Sequence, residues 1–122
     1  MRRFTLGKPI LLVAAIVSLF AFLVVASTAK AADMAAVKKT YEDKCAKCHG
    51  LTGKGDGPKA KTLKKKPRDY TDKEKMAEFT DQELIDQTKE GKKPMPSYGS
   101  GKNQLSDEQI TDLITYIRTF AK

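Results

Sequence analysis

The feature that most constrains this chain is a pair of cysteines followed directly by a histidine. Cys45, Cys48 and His49 are the only cysteines and the only histidine among 122 residues. Helix positions i, i+3 and i+4 lie on the same side, so a helix here would project both thiols and the imidazole together. All thiol and imidazole chemistry of the chain is therefore confined to one short stretch.

The C-x-x-C-H spacing indicates a covalently attached haem. Two thioether bonds from Cys45 and Cys48 would fix the porphyrin edge, and His49 would then lie under the iron and bind it through a ring nitrogen. Two alternatives stay open. A structural zinc site is disfavoured because it usually needs four ligands and the motif offers three. A redox-active dithiol would be expected near a βαβ pattern, which the sequence lacks.

The amino terminus predicts export. Arg2, Arg3 and Lys8 precede an apolar or small run over residues 10–26, and Ala29-Lys30-Ala31 has the small-x-small form that signal peptidase accepts. As a helix the run would be about 25 Å long, a little short of a bilayer core of roughly 30 Å. A cleaved signal is therefore favoured over a membrane-spanning helix.

We accordingly expect residues 1–31 to be a signal peptide and 32–122 to form one small domain. The alternative is that the segment is retained as a membrane anchor, since the small residues after it would extend the apolar run. A domain of about ninety residues buries a small core, and such domains commonly need a staple such as a metal or a cofactor.

The remaining sequence predicts helices joined by loops. After Asp33, apolar residues at spacings of three and four indicate a helix that runs into the motif. Thr80 and Glu83 form a capping box for a second helix, which Gly91 ends. A third helix begins at Ser106. Its apolar face comprises Ile110, Leu113, Ile114, Ile117 and Phe120.

Taken together, these residues resemble the class I cytochromes c, the small monohaem c-type cytochromes, over nearly all of residues 33–122. The matching elements are Tyr41, Cys45-Ala46-Lys47-Cys48-His49-Gly50, Gly57-Pro58, Met95-Pro96-Ser97-Tyr98 and Asp112-Leu113-Ile114-Thr115-Tyr116-Ile117. The resemblance implies an all-α fold of three or more short helices wrapped around one covalent haem c. It also implies that the first and last helices cross, bringing Tyr41 against Tyr116.

The resemblance further implies two roles around the iron. The carbonyl of Pro58 would accept the other ring N–H of His49, which orients the ligand and raises its basicity. A competing interpretation is that Pro58 only ends a glycine turn. Met95 would be the sixth ligand, and its flanking residues Pro94 and Pro96 would stiffen that segment. The alternative for Met95 is a core plug, because methionine readily fills irregular gaps.

The other methionines are weaker candidates for the sixth ligand. Met1 is lost with the signal peptide, Met34 is expected to pack on the core stripe of the first helix, and Met76 lies in a segment without predicted rigidity. Apolar side chains could also wrap the haem. The candidates for that wrapping are Leu63, Tyr70, Phe79, Leu84, Tyr98 and Phe120.

An iron bound by both His49 and Met95 would have no open position, so we expect a one-electron carrier and not an enzyme. Thioether ligation would raise its potential relative to bis-histidine haem. A gas-binding or enzymatic haem protein would need Met95 displaced. The stronger alternative is a membrane-anchored electron-entry subunit of a larger respiratory enzyme, which requires only that residues 1–31 stay uncleaved.

The charge distribution predicts the kind of partner. Residues 32–122 hold 19 Lys and Arg against 15 Asp and Glu, and residues 38–66 alone hold ten lysines against three carboxylates, a net charge of +7. We expect this stretch to frame the haem edge and to steer redox proteins with acidic docking surfaces. The alternative is a solvated surface that only aids solubility. Nucleic acid is a poor partner for an exported chain, and a membrane is expected only if the amino-terminal segment is retained.

Overall fold

The computed structural model describes residues 32–121, and the predicted signal peptide lies outside this range. Five α-helices follow one another within the described residues: α1 Met34–Lys44, α2 Ala46–His49, α3 Lys73–Ala77, α4 Asp81–Glu90 and α5 Asp107–Arg118. Single 3-10 turns occupy Ala60–Thr62 and Gly101–Asn103. Residues 32–121 contain no β-strand, only an isolated bridge between Lys92 and Met95. The all-α fold expected from the sequence is confirmed.

The first helix begins where its cap residue predicts and then delivers the chain to the motif. The carboxylate of Asp33 accepts hydrogen bonds from the backbone N–H groups of Ala35 and Ala36, two of the donors that a helix start leaves unpaired. The hydrogen-bond pattern changes at Cys45. The N–H groups of both Cys48 and His49 donate to the Cys45 carbonyl, at 3.1 and 3.0 Å. The motif therefore occupies its own helical turn, α2.

Helices α4 and α5 both begin with the capping boxes expected from the sequence. In α4 the Thr80 hydroxyl accepts from the N–H of Glu83, and the Glu83 carboxylate accepts from the N–H of Thr80. Ser106 and Gln109 exchange the same two bonds at the start of α5. Each pair satisfies two backbone N–H groups of the helix start, so short helices can form here with little intrinsic propensity.

Two ion pairs show that α4 and α5 run antiparallel. Asp81 at the start of α4 lies 2.8 Å from Arg118 at the end of α5, and Lys89 near the end of α4 lies 2.8 Å from Asp107 at the start of α5. Each pair places an acid at one helix start beside a base at the other helix end. This arrangement also complements both helix dipoles.

The first and last helices pack through aromatic rings. The ring centroid of Tyr41 lies 5.4 Å from that of Tyr116 and 5.3 Å from that of Phe120. Val37 and Leu113 are buried in the same cluster. The predicted contact between Tyr41 and Tyr116 is confirmed.

Two expectations about methionines are wrong. Met34 is 42 % exposed, so it does not pack in the core. Met76 is 1 % exposed and lies on α3, a helix that the sequence did not predict. The other residues of α3 are three charged side chains and Ala77, so the sequence shows no apolar stripe there. A carboxylate cap from Asp72 and the burial of Met76 stabilise this turn.

No helix within residues 32–121 has the length and apolar character needed to cross a membrane.

Candidate functional site

Cys45 is the N-cap of α2 and Cys48 lies within it; both are half-buried, and neither forms a disulfide. Burial raises the pKa of the Cys45 thiol to about 11, with a smaller opposing effect from Lys44. The thiol is therefore neutral near pH 7. Both sulfurs are available for bonds to a partner outside the chain, and they stand at the i, i+3 spacing expected from the sequence.

The hydrogen bonds of His49 define its tautomer. Its Nδ1 lies 3.2 Å from the Arg68 carbonyl oxygen, and its Nε2 lies 3.2 Å from the Tyr70 hydroxyl. A carbonyl oxygen only accepts, so this bond requires the proton to be on Nδ1. Nε2 then carries the lone pair, which is the form in which histidine binds a metal. Burial lowers the pKa of His49, which favours the same neutral ring.

Tyr70 also holds the face of the His49 ring. The two rings stack with centroids 4.5 Å apart and planes 12° apart. Tyr70 is itself buried, and its N–H donates to the carbonyl of Gly53 at 2.7 Å. Sequence reasoning placed Tyr70 only among the general wrapping residues and did not identify Arg68. No local signal could have found these contacts, because both residues lie about twenty positions from His49.

The turn that carries Pro58 packs against α2 through its backbone. The N–H of Gly57 donates to the Cys48 carbonyl at 3.1 Å. The acceptor that the structure gives Nδ1 of His49 is nevertheless the carbonyl of Arg68. The bond from His49 to Pro58 therefore stays a prediction.

The chain turns sharply after His49, at Gly50. Gly50 has φ +80°, in the left-handed region that favours glycine, and an added Cβ would clash with the Asp56 carboxylate. The hydroxyl of Tyr41, a fully buried residue, donates to the Gly50 carbonyl at 2.8 Å. This hydrogen bond from α1 thus holds the backbone where the chain leaves the motif.

Met95 is half-buried and packs against the main hydrophobic cluster. It lies on a tight turn in which the backbones of Lys92 and Met95 exchange two hydrogen bonds, at 3.1 and 2.8 Å. Three residues further on, the Tyr98 hydroxyl donates to the Lys44 carbonyl at 2.8 Å. Lys44 directly precedes Cys45, so the segment bearing Met95 is connected to the segment bearing the motif.

The lysine-rich stretch surrounds these elements with solvent-exposed charge. Nine of its ten lysines are exposed and Lys44 is half-buried. The exposed ones are Lys38, Lys39, Lys47, Lys54, Lys59, Lys61, Lys64, Lys65 and Lys66. Within residues 38–66 of the described structure, one ion pair forms, between Lys38 and Glu42 at 3.8 Å. Most of the positive charge is therefore available to a partner.

The chain is similar in sequence to known proteins. The family described as Cytochrome c matches residues 34–121. Cytochrome c6 of Nostoc sp. strain PCC 7120 is 36 % identical over 101 residues, which cover 83 % of this chain and 82 % of that protein. Cytochrome c6 of Rippkaea orientalis strain PCC 8801 is 38 % identical over 89 residues, covering 73 % and 72 %.

A solved structure agrees with these matches. The KustC0563 c-type cytochrome superposes with a TM-score of 0.58 at 29 % identity, over 70 % of this chain and 96 % of that one. The family match spans all five helices and contains the Cys45-x-x-Cys48-His49 motif. This chain therefore belongs to the class I monohaem cytochrome c family.

Proposed function

We propose that this chain is an exported one-electron carrier whose haem c is attached through Cys45 and Cys48 and ligated by His49 and Met95. The observation that carries the proposal is the single helical turn on which two free thiols stand beside a histidine whose Nε2 is the unprotonated ring nitrogen. That nitrogen accepts from the Tyr70 hydroxyl at 3.2 Å, a bond that iron would replace. When bound, haem c supplies an iron centre that accepts and releases one electron.

The donor set fits this cofactor better than it fits a bare metal ion. No group of three or more His, Cys, Asp and Glu side chains within residues 32–121 could hold a metal ion. Two thiols and one imidazole on one turn match two thioether bonds and one axial ligand. Arg68 and Tyr70 restrain the His49 ring at its Nδ1 edge and on its face, which orients the ring. The Tyr70 hydroxyl, 3.2 Å from Nε2, would have to give up that contact for Nε2 to bind iron.

Met95 is the proposed sixth ligand, and the positions of the other described methionines support this choice. Met76 is buried in the core beside Arg118, which donates to its carbonyl at 2.6 Å, and Met34 is exposed. If His49 and Met95 both held the haem iron, a substrate would have no place to bind it. The function that follows is electron transfer and not catalysis.

The attachment is tested by extracting the purified protein with acidified acetone. Haem held by two thioethers stays with the polypeptide, whereas haem that partitions into the solvent would contradict the proposal. Cys45→Ala and Cys48→Ala should each lose most holoprotein, because so small a core depends on its cofactor.

The ligand set is tested by Met95→Ala. We expect the ferrous variant to bind carbon monoxide, the ferric variant to lose its thioether-to-iron charge-transfer band, and the potential to fall by on the order of 0.1 V, within the range of about 0.8 V that axial ligands set. Met34→Leu, on the surface, and Met76→Leu, of similar volume, are the controls and should keep all three properties. Loss of the band in a control variant would reassign the ligand.

The acceptor for the Nδ1–H of His49 is proposed from the resemblance to be the Pro58 carbonyl, with the Arg68 carbonyl at 3.2 Å as the competing acceptor. Selective ¹³C labelling of either carbonyl in ¹⁵N-histidine holoprotein would distinguish them. The scalar coupling across the hydrogen bond to Nδ1 should arise from one label only, and coupling to Arg68 would remove Pro58 from the proposed site.

Export and partners complete the proposal. The charged residues and apolar run before Ala31 support a cleaved signal, so the mature amino terminus should be Ala32, and high-salt washing should release the protein from membranes. A mature chain that begins at Met1 and stays in the membrane would favour the anchored-subunit alternative. The exposed lysines support redox partners with acidic docking surfaces.

A further inference from the structure

The segment that carries Met95 leaves α4 and returns to it. Before the segment, the N–H of Gly91 donates to the Gln87 carbonyl at 2.9 Å, which closes the last turn of α4. After it, the N–H groups of Tyr98 and Gly99 donate to carbonyls in that same turn, those of Thr88 at 3.1 Å and Lys89 at 3.0 Å. These backbone bonds fix Met95 relative to α4, and none of them reaches the motif.

Besides hydrophobic packing, a single side-chain hydrogen bond connects this segment to the motif side. Among the described residues, the bond from the Tyr98 hydroxyl to the Lys44 carbonyl, at 2.8 Å, is the one hydrogen bond between residues 91–99 and the segment 33–57. The ring of Tyr98 is 6 % exposed and belongs to the core cluster. Because the side chain has only two torsions and its ring is packed in the core, the position of its hydroxyl is well restricted.

The Lys44 carbonyl is free to accept because of the break at Cys45. In a continuous helix the N–H of Cys48 would donate to the carbonyl four residues earlier, that of Lys44. Here it donates to the Cys45 carbonyl instead, at 3.1 Å. The helix break that presents the motif thus leaves an unpaired carbonyl one residue before Cys45, and the Tyr98 hydroxyl satisfies it.

We infer that Tyr98 is a positioning residue for Met95, holding the segment of the sixth ligand against the residue that precedes the first thioether cysteine. The inference rests on the proposed ligation by His49 and Met95. Only Pro96 and Ser97 separate the two side chains, and the proline ring restricts the backbone between them. The hydrogen bond therefore narrows the range of positions open to the Met95 sulfur and keeps it in place.

The test is azide binding to ferric Tyr98→Phe holoprotein, since azide must displace the Met95 sulfur. Phenylalanine keeps the buried ring and removes only the hydroxyl. The azide association constant should rise roughly two- to tenfold, the range that corresponds to one net hydrogen bond. In a thermal scan, the thioether-to-iron charge-transfer band should disappear at a lower temperature than helix content is lost.

Tyr41→Phe is the matched control. It removes an equally short hydroxyl bond to a backbone carbonyl, 2.8 Å to Gly50, from another buried tyrosine, but on the His49 side of the motif. It should lower thermal stability to a similar extent and change azide affinity by less than roughly twofold. An equal rise in azide affinity in both variants would mean general loosening and would overturn the inference.

The variant Met95→Ala shows whether a negative result contradicts the positioning role of Tyr98 or the assignment of Met95 as the ligand. If Met95→Ala binds azide strongly and Tyr98→Phe binds it like the unmodified protein, the inference is wrong and the ligand assignment stands. If Met95→Ala leaves azide binding unchanged, Met95 is not the ligand, and both fail. A rise confined to Tyr98→Phe and Met95→Ala supports the positioning role.

Discussion

Gly57 lies where the loop after the motif passes over α2, and the backbone there leaves no room for a side chain. An added Cβ would overlap the carbonyl oxygens of Ala46 and Lys47. Gly57→Ala should therefore force the loop away from α2 and lower the free energy of unfolding of the holoprotein by about 3 kcal/mol, as measured by denaturant titration.

The control for this residue is Gly101→Ala. Gly101 has φ +78°, but an added Cβ would meet nothing within 4 Å, so the cost is limited to left-handed backbone strain of about 1 kcal/mol. Comparable losses in the two variants would show that the close approach to α2 is not the cause.

At the scale of the elements, Arg118 joins the end of α5 to the connection between α3 and α4. Its guanidinium donates to the carbonyls of Met76 at 2.6 Å and Phe79 at 2.5 Å, and it pairs with Asp81 at 2.8 Å. Arg118→Met keeps the aliphatic stem and removes all three bonds. Thermal and denaturant unfolding should show a loss of about 2 kcal/mol, because two backbone carbonyls lose a charged donor.

The variant Asp81→Asn removes the charge of the ion pair with Arg118 and leaves the hydrogen bonds from Arg118 to the two carbonyls in place. The Asp81 side chain is 69 % exposed, so its pairing with Arg118 should contribute less than about 1 kcal/mol. If Asp81→Asn destabilises the protein as much as Arg118→Met, the ion pair and not the carbonyl bonds connects these helices.

The capping box of α4 makes stability depend on pH. The hydrogen bond from the Thr80 N–H lowers the pKa of the Glu83 carboxyl below its ordinary value of 4.5. A lowered folded-state pKa means that this contribution is complete above 4.5 and is lost as the pH falls through the lower folded value.

Glu83→Gln should therefore be slightly less stable near neutral pH and lose less stability under acid. The measurement is the unfolding midpoint of both proteins from about pH 7 down to about pH 3. Curves that stay parallel over this range would show that the carboxylate charge does not contribute to the cap.

At the scale of the whole molecule, the uneven distribution of positive charge should make the rate of electron transfer depend on ionic strength. Residues 38–66 carry a net charge of +7, although residues 32–122 together carry +4. The second-order rate with an acidic redox protein should fall as ionic strength rises past about 0.1 M, where the screening length is about 10 Å. Stopped-flow kinetics over a salt series gives this dependence directly.

A pair of charge reversals tests where the partner docks. Lys65→Glu, within the basic stretch, should slow the reaction at low salt without changing the potential, whereas Lys102→Glu, also exposed, should have less effect. Rates that do not change with ionic strength would favour the interpretation that the lysines only solvate the surface.

Features encoded within a few residues could be predicted from the amino-acid sequence. A capping box such as Thr80 with Glu83 depends only on two residues three positions apart, and the apolar residues of α5 recur every three or four positions. Both patterns can therefore be recognised in the sequence before the fold is known. The motif is equally local, because its three side chains share one helical turn. Together these local signals predicted the helices and the cofactor, and the resemblance to the class I cytochromes c implied the fold.

Contacts between residues distant in sequence became visible only in the folded chain. His49 meets Arg68 and Tyr70 about twenty positions away, and Tyr98 reaches Lys44 across 54. The helix around Met76 was missed for the same reason, since its burial lies against other elements and not in a local pattern. Helix caps and the spacing of apolar residues depend on the backbone within one or two helical turns. The long-range contacts, in contrast, form only when the helices have packed against one another.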